Sequence, residues 1–148
     1  MKQKKYILVI FVVLSISLGA FYVFSTVKTS NLIVGTNKLT VETAKTSEQM
    51  QRGLCCRDSL AQHAGMLFVY EKPGDYRFWM KDTKIALDMY WINSQKKIVY
   101  IEHNVQPSSY PKTFGTEIPA QYILETNAGY AKSRNIKIGD AVNFNSNH

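Results

Sequence analysis

The sequence predicts an α+β domain, a compact antiparallel and barrel-like β-sheet with two short helices, preceded by one N-terminal transmembrane helix. Three observations carry the prediction. Ile7 to Phe24 is a continuous apolar run without a charge. Beyond it, short runs rich in β-branched and aromatic residues alternate with Gly, Pro and Asn punctuation. Two short stretches, one after Thr46 and one after Asn127, carry helical signatures.

At 148 residues, with 45% apolar and 20% charged residues, the chain has the composition of one ordinary globular domain. The formal charge is +7, but Lys2, Lys4 and Lys5 precede the apolar run and belong to a targeting element. Setting those three aside leaves 15 Lys and Arg against 11 Asp and Glu, a balance of +4 spread singly along the chain. A nucleic-acid groove calls for a clustered basic stripe with interleaved aromatics, so the pattern argues against nucleic acid as a partner.

Residues 1–6 read as a basic cytoplasmic N-terminus, 7–27 as a transmembrane signal anchor and 28–148 as an extracytoplasmic β-rich domain. At 1.5 Å per residue, roughly 18 to 21 helical residues span about 27 to 31 Å, close to the hydrocarbon thickness. The rival is a cleaved secretory signal, whose apolar region is shorter and ends in a small-x-small site. Phe21, Tyr22 and Phe24 crowd the place where that cut would fall. Positive flanks stay cytoplasmic, which places the domain outside a single-pass membrane anchor; secretion after cleavage is the alternative.

Leu32-Ile33-Val34 and Leu39 to Ala44 read as a hairpin around Gly35 to Lys38. Thr46 with Gln49 has capping-box spacing and opens a helix of about two turns that ends near Gly53. Met66 to Tyr70 is strand-like and runs into a turn-rich segment, Glu71 to Asp75. Arg77 to Asn93 packs Phe78, Trp79, Met80, Tyr90 and Trp91 around the polar insert Lys81-Asp82-Thr83-Lys84, and reads as two strands joined by a polar connection. Alternation puts Ile85, Leu87, Met89 and Trp91 on one face and Ala86, Asp88, Tyr90 and Ile92 on the other. Ile98 to Ile101 is a further strand, His103 to Thr116 a polar connection, and Ile118 to Glu125 another strand. Asn127 is expected to cap a short helix ending at Lys132 and Arg134, Asn135 to take a left-handed conformation, and Ile138 to Val142 to form a turn and last strand.

Three blocks, RGLCCRDSL at Arg52 to Leu60 with GMLFVY at Gly65 to Tyr70, FWMKDTKIALDMYWI at Phe78 to Ile92, and IPAQYILETNAGYAKSRNIKIGDAV at Ile118 to Val142, carry a resemblance. The chain resembles the domain-of-unknown-function family 192, an uncharacterised group of bacterial and archaeal proteins. The resemblance implies a compact β-rich domain, in many members behind a signal peptide or a single anchor, with no agreed activity. The terminal block is also similar to the ends of double-psi and related cradle-loop barrels, at the level of fold alone. This chain departs at Cys55-Cys56, where Met-aromatic or small residues are usual, at Asp82, where Asn is common, and at Ala86, where proline is frequent.

A polar cluster can be assembled from Arg52, Arg57, Lys81, Asp82, Thr83 and Asp88, with Trp79 and Tyr90 as walls. On one reading it binds a small anionic or sugar-like ligand, the arginines forking onto a carboxylate or phosphate, Lys81 adding charge and Trp79 stacking on a sugar or aliphatic face. On the other, Arg52 or Arg57 pairs with Asp88 or Asp82 and clips the helix to the sheet. Glycoside hydrolysis needs two carboxyls at a set separation, and Asp82, Asp88 and Glu125 are the nominees. His63, His103 and His148 have no ligand spacing, so neither a metal nor another cofactor is expected. Cys55 and Cys56 are adjacent and can bridge each other only through a strained ring; packed thiols are expected in preference to an intermolecular bridge.

These features point to a membrane-anchored ligand-binding or accessory module of the cell envelope, partnered by the membrane and by a small anionic or sugar-like ligand or an envelope protein. An envelope hydrolase acting on glycans or other anionic substrates, with Asp88 or Asp82 as base, is the alternative. A structural partner of another membrane protein is a third reading. No nucleophile–base signature favours the enzyme.

Overall fold

The computed structural model describes residues 29–144, so the expected cytoplasmic segment 1–6 and anchor 7–27 lie outside the described residues. Among the described residues no helix is long and apolar enough to cross a membrane.

The chain opens on the hairpin of β1 (Thr29–Val34) and β2 (Asn37–Ala44). Val34 pairs with Asn37, which leaves a two-residue loop in which Gly35 takes φ 57°. Glycine carries that conformation without the steric cost most side chains would meet. The capping box forms as the spacing predicts: Thr46 Oγ1 accepts the Gln49 N–H at 3.2 Å and Gln49 Oε1 accepts the Thr46 N–H at 3.1 Å. Such a cap stabilises its helix by about 1 kcal/mol. It starts α1 (Ser47–Arg52), which stops at Gly53 with φ 49°.

β3 (Ala64–Gly74) then lies parallel to β2, from Thr40 opposite Ala64 to Ala44 opposite Phe68. The sheet is therefore mixed, not antiparallel throughout. Parallel neighbours need a crossover of a dozen or more residues, and the helix-bearing stretch from Lys45 to His63 supplies it. β3 also runs on through the stretch expected to turn; its register with β8 (Ala120–Asn127) shifts between Val69 and Gly74, around Pro73, which has no N–H for the ladder.

β4 (Phe78–Trp79) and β5 (Leu87–Ile92) are joined by the polar connection but enter different sheets. β4 pairs with β7 (Thr113–Phe114) in a small ribbon, while β5 lies between β8 and β6 (Ile98–Val105). After α2 (Tyr130–Ser133) the chain ends in β9 (Val142–Asn143), giving a seven-stranded order β6-β5-β8-β3-β2-β1-β9. This sheet curls until its two edges meet: Ile98 N–H donates to Asp140 O at 3.0 Å and Val142 N–H to Lys96 O at 2.8 Å, around the Lys97–Ala141 bridge. The result is the barrel-like sheet with two short helices that the strand pattern predicts.

Every residue of β5 is buried, because its two faces serve two cores. Tyr90 and Ile92 join Leu32, Leu39, Val41, Leu67, Leu124 and Val142 on one side, and Leu87, Met89 and Trp91 join Leu54, Phe68, Met80, Phe114 and Ile123 on the other. Each fully buried large side chain contributes about 1.5–3 kcal/mol. The face assignments of β5 are those that alternation predicts.

Asn127 does not cap α2. It ends β8, and its amide donates to Leu60 O at 3.0 Å and Ala61 O at 3.1 Å, tying down the crossover. The N-cap of α2 is Gly129 at φ 79°. Asn135 takes φ 53°, as expected.

Candidate functional site

The second core opens at a cleft. α1 lies across the Phe68 end of β3, and the chain from Arg77 to Thr83 passes beside it, leaving a cleft of about 330 Å³. Phe68, Tyr70, Phe78 and Trp79 supply its rings, and Arg52, Arg77 and Lys81 its cations. Gly53 ends α1 beside Phe68 at φ 49°, a backbone conformation that favours glycine.

Glu125 lines this cleft. On β8 it sits opposite Met66 of β3 and Met89 of β5, and directly paired residues project to the same side of a sheet. Its carboxyl thus enters the apolar face shared by Phe68, Ile123 and Trp91. The residue is 4% exposed and no hydrogen bond to it forms among the described residues; since none of their fully enclosed side-chain oxygens lacks a partner, its carboxyl keeps contact with the open cleft. Burial pushes its pKa up to about 8, because an unpaired carboxylate among apolar groups lacks the solvation that stabilises its charge. The nearby Tyr70 hydroxyl rises to about 12, first through burial and then through Tyr76 and Glu125, so it stays protonated.

Of the residues singled out from the sequence, Arg52, Trp79, Lys81 and Thr83 line the cleft. Trp79 stands 55% exposed at the mouth, with Tyr110 edge-on at 6.4 Å between ring centres. Arg52 reaches Glu48 at 3.6 Å on the exposed side of α1. Arg57 lies elsewhere. It forms a two-pronged ion pair with Glu42, Nη1 to Oε1 at 2.5 Å and Nη2 to Oε2 at 2.6 Å, and so clips the post-helix loop to β2.

Asp82 does not line the cleft and serves the turn: it has φ 54°, and its carbonyl accepts the Cys56 N–H at 2.9 Å. Asn and Asp both tolerate that left-handed backbone, which makes the departure from the more common Asn a conservative one.

Asp88 is fully buried but meets neither arginine nor a cleft. Its Oδ1 accepts the Asn104 N–H at 2.8 Å and its Oδ2 the Ala131 N–H at 2.9 Å. The expected clip between Asp88 and Arg52 or Arg57 is replaced by two backbone amides, which satisfy a buried carboxylate as well as a cation does. Tyr90, expected as a wall, faces the other core and shares a hydrogen bond with Thr126 Oγ1 at 3.1 Å. Cys55 and Cys56 are joined in a disulfide, contrary to the expected packed thiols.

Sequence reading missed the role of Glu125, which it placed only among three nominated acids, and it missed Phe68, Tyr70, Phe78 and Arg77 as cleft residues. The available signal was a glutamate in register with Ile123 on an apolar strand face.

A family model, DUF192, described as an uncharacterized ACR, matches residues 29–144. Two crystal structures are similar to the chain. A proposed transcription regulator from Sinorhizobium meliloti 1021 is 32% identical, with a TM-score of 0.75 over 78% of this chain and 93% of its own. A protein of unknown function from Novosphingobium aromaticivorans DSM 12444 is 29% identical, with a TM-score of 0.77 over 83% of this chain and 90% of its own. No curated protein matches the chain.

Proposed function

Since this chain belongs to the DUF192 family through residues 29–144, a membership that carries no activity, we propose that it is a small-ligand binding module whose site is the Glu125 cleft. One observation carries the reading: a buried carboxyl without a protein partner faces a cleft rimmed by aromatic and cationic side chains. Buried polar groups are normally satisfied within the fold, so one left open to a cleft is a place for a bound molecule. Trp79 offers a stacking face and Lys81, for which no ion pair forms among the described residues, offers charge to an anionic group.

Within this proposal the module is tethered by residues 7–27 and faces outward, as Lys2, Lys4 and Lys5 ahead of the apolar run support. A disulfide at Cys55–Cys56 fits an oxidising compartment. The hydrolase alternative has less support, since among the described residues Glu125 is the one acidic side chain lining the cleft and a glycosidase needs a second carboxyl. The regulator description of the Sinorhizobium relative also finds little support here: the described helices have 6 and 4 residues, short for a major-groove reader.

The test is a thermal-shift screen of the full chain against envelope glycan fragments and small anions, repeated with Trp79→Ala and Lys81→Ala. Both side chains are exposed, so the unliganded melting temperatures should stay put while ligand-induced shifts shrink. Shifts that persist in both variants would place the ligand elsewhere.

A further inference from the structure

The cleft sets opposite chemistry at its two depths. Inside, Glu125 lies among Phe68, Tyr70 and Phe78, with Met66 and Met89 on the neighbouring strands. Toward the rim stand Trp79, Lys81 and Arg52, with Lys81 and Arg52 exposed. Arg77 also lines the cleft, but its Nε is held by Asp75 Oδ1 at 2.8 Å.

An anion alone gains at the rim and loses at the floor. A neutral sugar leaves the carboxyl's desolvation uncompensated unless it donates to it. An organic ammonium is the group that both the rings and the acid favour, because aromatic faces attract cations and a carboxylate in an apolar site is stabilised by a positive partner.

We propose that the cleft takes a zwitterion, its ammonium seated among Phe68, Tyr70 and Phe78 against Glu125 with Trp79 over it at the mouth, and its anionic group turned outward to Lys81 and Arg52. The inference rests on the cleft being a ligand site and adds the class of ligand. Choline phosphate, either free or as a lipid headgroup, has this chemistry.

The titratable groups around the site are Tyr70 on β3, Arg52 on α1, and Arg77 and Lys81 flanking β4. Burial holds Glu125 at about 8. A cation binds its ionised form, so affinity should climb up to about tenfold per pH unit below that value and level off above it. A ligand that accepts a hydrogen bond from the protonated acid should show the opposite slope.

The experiment is titration calorimetry of the full chain in a polyoxyethylene detergent between pH 6 and 9. The probes are choline, phosphocholine, dihexanoylphosphatidylcholine below its micellar concentration, glycerol phosphate and N-acetylglucosamine. We expect choline and phosphocholine to bind with affinity rising with pH, phosphocholine the tighter. Glu125→Gln should flatten the profile and lower affinity at least tenfold, and Trp79→Ala should lower it roughly threefold to tenfold. Tighter binding of the short-chain lipid than of phosphocholine would identify a lipid headgroup as the source, and equal binding a free zwitterion; both support the proposal.

Binding of glycerol phosphate or N-acetylglucosamine without choline would overturn the zwitterion and leave the binding cleft standing. Heats absent for every probe would overturn both. A choline affinity that falls with rising pH, or is unchanged in Glu125→Gln, would also overturn the ammonium–carboxylate pairing.

Discussion

Asp88 Oδ2 accepts the backbone N–H of Ala131 at 2.9 Å, joining β5 to the first turn of α2 across 43 residues of sequence. The same carboxylate holds the Asn104 N–H at 2.8 Å, where the chain takes φ 53°. One side chain thus fixes the position of a helix that lacks a side-chain cap and the backbone of a bent edge strand.

Asp88→Ala removes both acceptors and leaves the buried Ala131 amide and the part-buried Asn104 amide without their partner. We expect a loss of roughly 3 kcal/mol in urea unfolding, with Asp88→Asn losing less because its carbonyl keeps one bond. Ligand affinity of the folded variant should be unchanged, since Asp88 does not line the cleft. A Asp88→Ala protein as stable as the parent would remove this structural role.

Glu125 affects stability with the opposite sign from a paired carboxylate. Its pKa rises from 4.5 in the unfolded reference to about 8 in the fold, so between those values the folded state binds the extra proton. Stability should therefore fall as pH rises from about 5 to 8, by an amount on the order of 4 kcal/mol. Glu125→Gln should flatten that slope and be the more stable protein at pH 8. Urea midpoints measured across this range check it.

The Arg57–Glu42 pair is partly shielded, at 32% and 20% side-chain exposure, and two-pronged. A double-mutant cycle with Arg57→Ala and Glu42→Gln should give a coupling of about 1 kcal/mol, shrinking in salt. A cycle that closes to zero would make the pair incidental.

Thiol titration of the unfolded, non-reduced chain should find no free cysteine, and two after reduction, because Cys55 and Cys56 are bonded to each other. A bridge between adjacent residues closes almost no loop, so reduction should cost only about 1 kcal/mol of stability.

Local chemistry was readable wherever the interacting groups are near in sequence. The capping box needs only Thr46 and Gln49, the hairpin only Gly35 and its flanks, and the two faces of β5 only a period of two. These follow from the geometry of a few consecutive residues, whatever the remainder of the chain does.

Strand order and charge pairing were not readable in this way. That β2 and β3 run parallel depends on where the crossover returns, and that β4 and β5 part company depends on which neighbours each finds. The same limit governs the acids. Asp88 and Glu125 both interrupt apolar strands and look alike in the sequence, yet Asp88 meets the amides of Asn104 and Ala131, and Glu125 meets none. Their difference is set by backbone donors and methionine side chains brought in from distant segments, and a buried carboxylate takes its character from those neighbours. The residue types were legible in the chain; the closing of the sheet made one acid a brace for α2 and left the other facing a cleft.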